Sequence, residues 1–125
     1  ALYGPPPRER AQLVHGDLTG NVLFAPGLAP AVIDFSPYWR PPGFAEAVVV
    51  GDALIWHGAG AGLLRAAAPA FGPGFVGLVA RAVTFRLVTA SEQLRAQADD
   101  PVGGSATAAE IRRCRRAVEL LAACG

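Results

Sequence analysis

Lysine is missing altogether: all eleven basic residues of the chain are Arg. Charge of either sign is scarce, at 17% of residues with a formal net charge of +1. No field strong enough to draw a phosphate backbone results, so nucleic acid is not an expected partner. Cysteine is reduced to Cys114 and Cys124. They lie ten residues apart in one expected helix, about 15 Å along its axis, too far for a disulfide between them. Two thiols without metal-ligand spacing point to a reducing, cytoplasmic compartment. Long uncharged apolar runs are absent too. Residues 45–64 carry Glu46, Asp52 and His57, and 75–90 carry Arg81 and Arg86, so neither stretch is expected to span a membrane. No basic, apolar, small-residue signal opens the chain.

What is present is an apolar chain of 125 residues, 52% hydrophobic, with 15 Gly and 11 Pro. That composition folds, and the length suits one domain over 1–125. Pro5-Pro6-Pro7 predicts an N-terminal turn, with a helix end over 8–12 before a short strand at 13–15. Residues 22–24 and 31–33 are β-type runs joined by Ala25-Pro26-Gly27-Leu28-Ala29-Pro30, the turn chemistry of a hairpin. Residues 35–43 hold three Pro and one Gly and are expected to form an irregular loop anchored by Tyr38 and Trp39. Helices are expected over 44–58, 62–68, 74–96 and 108–124, the last capped by the box from Thr107 to Glu110. Residues 99–104 read as a linker. The helix from Gly74 is apolar nearly all round and should be the centre of the core. The final helix lies over it through Ile111, Cys114, Val118 and Leu121, with Arg112, Arg113, Arg115 and Arg116 on its solvated side.

The expected fold class is α+β, mainly α. Within it one stretch concentrates polar groups, His15-Gly16-Asp17-Leu18-Thr19-Gly20-Asn21, followed by an apolar run, a turn, and a second apolar run ending in Asp34. A hairpin brings its ends together, so Asn21 and Asp34 are expected as neighbours across its open end, with Asp17 one short loop away. Two oxygen ligands with room for water suit Mg²⁺, and a further carboxylate beside them is free to orient a hydroxyl or take its proton. That is the division of labour of phosphoryl transfer.

HGDLTGNVLF with Ala31-Val32-Ile33-Asp34-Phe35 resembles the catalytic and metal loops of the aminoglycoside phosphotransferase and choline kinase type of kinase-like enzymes. The likeness covers about 13–57. It implies the C-terminal lobe of a protein-kinase-like fold, a helical bundle whose small β-hairpin carries these loops. It also implies transfer of the γ-phosphoryl of ATP to the hydroxyl of a small-molecule substrate, with Mg²⁺. Residue by residue, it implies Asp17 as the group that orients or deprotonates the hydroxyl, and Asn21 and Asp34 as metal ligands. His15 is then structural, and Asp52 on the following helix supports the catalytic loop.

The chain departs from the family pattern twice. Three residues, not four, separate Asp17 from Asn21, a contraction of about 3.3 Å of chain, which Gly20 absorbs if it takes a positive φ. The family's Gly-rich nucleotide loop and ATP-binding Lys lie in an N-terminal lobe that these residues do not include, so the chain alone is expected to be inactive and, with an apolar face uncovered, to self-associate. A degenerate kinase-like domain that binds without transferring phosphate is the alternative reading.

Gly72-Pro73-Gly74-Phe75-Val76-Gly77 fits G-x-G-x-x-G, but no strand precedes it, and a helix entry that permits close packing is the expected role. His57 has no partner at metal-site spacing. Tyr38 and Trp39 either stack on a substrate ring or anchor their loop.

Overall fold

In a computed structural model, which describes residues 2–4, 8–97 and 101–124 with backbone alone at 101–103, the chain is α+β and mainly helical. Pro5-Pro6-Pro7 and the Asp99-Asp100 part of the expected linker lie outside the described residues. The elements run β1 (Gln12–His15), β2 (Val22–Leu23), β3 (Ala31–Val32), β4 (Pro37–Arg40), α1 (Gly43–Trp56), α2 (Ala61–Phe71), α3 (Phe75–Ala96) and α4 (Pro101–Cys124).

The strands form two antiparallel pairs, one nested in the other. β1 pairs with β4, Gln12 opposite Arg40 and His15 opposite Pro37, and Gly16 N–H to Ser36 C=O at 2.8 Å extends the ladder by one step. Inside the connection, β2 pairs with β3, Val22 opposite Val32. The hairpin over 22–33 is as the sequence predicts. Strand β4 is a correction, since it forms in the segment expected to be irregular. Each sheet has only two strands, so β4 is an edge, and Pro37 at its first position forfeits no needed N–H. The helix end expected over 8–12 is also absent, as Gln12 already belongs to β1.

α3 packs between α1 and α4, as the apolar character of its sequence requires. Val79 and Val83 of α3 are fully enclosed among Val48, Leu54 and Ile55 of α1 and Cys114, Ala117 and Leu121 of α4. Gly51 of α1 faces Val83, whose Cγ2 would lie 3.4 Å from an added Cβ. The two helices therefore approach closely where the glycine sits. Arg112, Arg113, Arg115 and Arg116 are exposed on the opposite side of α4.

Two boundaries differ from expectation. α2 continues through Pro69 to Phe71, where the Phe71 ring stacks on Phe75 at 4.6 Å and holds the last turn. α4 begins at Pro101, not after Thr107, so the expected capping box is a mid-helix sequence. Thr107 is buried there, and its hydroxyl donates to Gln97 Oε1 at 2.9 Å. That contact, with Gly104 beside the Gln97 carbonyl, lets the start of α4 run against the end of α3, and packing overrides the low helix propensity of the two glycines.

Candidate functional site

The connection between β1 and β2 is organised by its own polar groups. Asp17 N–H donates to His15 Nδ1 at 3.0 Å, so that nitrogen is unprotonated. The Nε2, 3.2 Å from the Ile33 carbonyl, carries the hydrogen and donates it. One neutral imidazole thus ties the start of the loop to the exit of β3, the residue before Asp34. The ring is buried and meets Phe35 edge-on at 5.3 Å.

Asn21 closes the other side. Its side chain lies 2.8 Å from the Asp17 carbonyl, and because a carbonyl only accepts, the atom facing it is Nδ2, leaving Oδ1 outward. Gly20 takes φ +81°, the conformation needed to close the shortened Asp17-to-Asn21 segment. The register differs from expectation by one step: Asn21 C=O accepts from Ile33 N–H at 3.0 Å, which sets Asn21 opposite Ile33 and leaves Asp34 one residue further on. Asp34 has φ 48°, in the left-handed region that Asp tolerates better than most residues. It is exposed, and its carboxylate has no hydrogen bond among the described residues.

Asp17 is anchored from below by a residue whose role the sequence reading did not assign. Arg86, on α3, donates from Nη2 to Asp17 Oδ1 at 2.8 Å, and from Nε and Nη2 to both oxygens of Asp52 at 2.9 and 2.8 Å. Asp52 is completely buried. A carboxylate there must be paired and hydrogen-bonded to stay ionised, and the two-pronged guanidinium does both. Burial alone would lower the Arg86 pKa, but the hydrogen bonds and charges of Asp52 and Asp17 outweigh it and push the pKa up, so the cation is permanent. Its Cζ also lies over the Trp56 ring, 5.0 Å from the centroid. Asp52 is thus linked to Asp17 through Arg86. The signal was present: Asp52 and Arg86 are opposite charges in two very apolar helices, and each needs a partner.

The remaining features separate cleanly. Tyr38 is half-buried, edge-on to Phe85 at 6.0 Å, and its ring lies directly over Gly16; it anchors its strand, whereas Trp39 is 66% exposed. Gly77 of the G-x-G-x-x-G stretch lies against the Tyr3 backbone, where a Cβ would collide, in keeping with close packing. His57 is exposed at the end of α1. Among the described residues no group of three or more His, Cys, Asp or Glu side chains gathers as a metal cage, and no helix is long and apolar enough to cross a membrane. Cys114 and Cys124 are both free thiols.

The oxygens offered by half-buried Asn21 and exposed Asp34 are hard donors, and few in number. That donor set fits Mg²⁺, which keeps waters and takes one or two protein oxygens alongside phosphates. Comparison with family models, with curated proteins and with solved structures returned no match.

Proposed function

We propose that the chain is the C-terminal lobe of an ATP-dependent phosphotransferase that acts on a small-molecule hydroxyl. The parts of the template that clamp the nucleotide are not among these residues and would come from a second lobe. The observation that carries the reading is the fixed Asp17: held through its backbone N–H, its carbonyl and its side chain at once, beside a hairpin that presents Asn21 Oδ1 and Asp34. A turn-capping Asp has no need of a buried ion pair behind it.

The acceptor hydroxyl hydrogen-bonds to Asp17. Its oxygen forms the new bond to the γ-phosphorus, the bond from that phosphorus to the β–γ bridging oxygen breaks, and ADP leaves with the electron pair. The hydroxyl proton passes to the Asp17 carboxylate and on to water. With Arg86 neutralising part of its charge, Asp17 acts chiefly by orienting the hydroxyl and accepts the proton late. Asn21 and Asp34 would hold Mg²⁺, which when bound neutralises charge on the ATP phosphates.

The test is paramagnetic broadening by Mn²⁺ with a non-hydrolysable ATP analogue, read at backbone amides of the full-length protein. Saturable broadening centred on Asn21 and Asp34, lost in Asp34→Ala, is expected. A folded protein that shows none would replace this reading with the non-catalytic binding domain.

A further inference from the structure

We infer that Arg86 is a positioning residue of this site, which selects the oxygen of Asp17 that meets the acceptor. The inference rests on the phosphotransferase reading above.

Asp17 sits in a loop and its side chain is 45% exposed. An Asp so placed samples several rotamers unless something holds it. The backbone contacts of His15 and Asn21 fix the loop but leave χ1 and χ2 free. Among the described residues only the Arg86 bond acts on the carboxylate itself, and it acts on one oxygen: Nη2 donates to Oδ1 at 2.8 Å, while Oδ2 has no hydrogen bond there. The working atom is therefore Oδ2.

Arg86 can do this because it is itself immobile. Nε and Nη2 are locked side-on to Asp52, and Cζ lies over the Trp56 ring. The second hydrogen of Nη2 then has one direction left, toward Asp17. The catalytic-loop carboxylate is referenced in this way to α1 and α3, whose facing residues are buried in the core, across 69 residues of sequence. Lys in place of Arg presents a single ammonium with no planar fork and cannot hold both carboxylates in this relation.

The experiment uses the full-length protein with Mg·ATP and water as the acceptor, so no identified substrate is needed. Wild type, Asp17→Asn, Arg86→Lys and Arg86→Ala are compared by steady-state ATP hydrolysis, each checked by circular dichroism to be folded at the assay temperature. Arg86→Ala is expected to lower kcat by about 10²-fold, the cost of a reacting group misplaced by about an ångström, with KM for ATP unchanged. Guanidinium ion at non-denaturing concentration should seat between Asp52 and Trp56 and recover about tenfold of that loss, whereas methylammonium should not. Arg86→Lys should remain well below wild type, and it carries the test alone if Arg86→Ala does not fold. Variants at Arg86 that keep wild-type kcat, or a loss that guanidinium leaves untouched, would overturn the positioning role while an Asp17-dependent activity survives. A wild type no faster than Asp17→Asn would instead overturn the phosphotransferase reading, and this inference with it.

Discussion

The ring of Tyr38 lies directly over Gly16, so close that a Cβ at residue 16 would overlap it. Tyr38 meets Phe85 of α3 edge-on in turn. This contact presses β4 onto the start of the loop between β1 and β2. Gly16→Ala is expected to cost about 1–3 kcal/mol, the range for overpacking a filled site, and to displace Asp17. Urea denaturation should show the loss, and Gly16→Ala combined with Tyr38→Ala should be less destabilised than the two single changes summed.

Removing Asp52 leaves a buried guanidinium without its side-on partner. Asp52→Ala is expected to destabilise the fold by about 3–5 kcal/mol, and Asp52→Asn by less, because the amide oxygen still accepts one bond. The pair Asp52→Ala with Arg86→Met should recover part of the loss, since no charge is then stranded. A double-mutant cycle in urea measures that coupling, and strict additivity would contradict it.

His15 contributes through both ring nitrogens. In His15→Phe the ring can still pack against Phe35, but the Asp17 N–H and the Ile33 C=O lose their partner. About 2 kcal/mol is expected, two neutral hydrogen bonds at about 1 kcal/mol each. Amide exchange should accelerate at Asp17 before it does in the helices.

Burial raises the Cys114 thiol from 9.0 to about 11, with Glu110 adding to the shift. The protonated thiol is the form the fold prefers. The stability linked to it is therefore complete below about pH 9 and is lost as pH rises through about 11. At pH 8 an alkylating reagent should modify exposed Cys124 and spare Cys114 in the native protein, while denaturant exposes both. Mass spectrometry of the labelled peptides decides it. Cys114→Ala, which has no thiol to titrate, should lose less stability than wild type between those pH values.

Much of the fold was legible along the chain because it is locally encoded. The hairpin turn over 25–30 and the apolar runs beside it point to one pairing, and the helix from Gly74 is apolar nearly all round and so is expected at the centre. The polar string from His15 to Asn21 marked the candidate site by residue type and spacing alone. β4 was hidden because its Pro residues argue against a strand unless one knows that it is an edge. The start of α4 was hidden because Gly103, Gly104 and Thr107 are poor helix formers until α3 is alongside.

The mainly helical class and the hairpin were legible because each follows from short-range periodicity and turn chemistry, whereas the pairing of Asn21 was not, since it faces Ile33 and leaves Asp34 one residue further on. That Arg86 of α3 reaches both Asp17 and Asp52, 69 and 34 residues away, follows from long-range packing alone. Each buried charge announces that it needs a partner, but the partner's identity depends on which helix faces are packed together. That is set by the summed burial of α1, α3 and α4 around Val79 and Val83, a long-range property that no local window of residues contains.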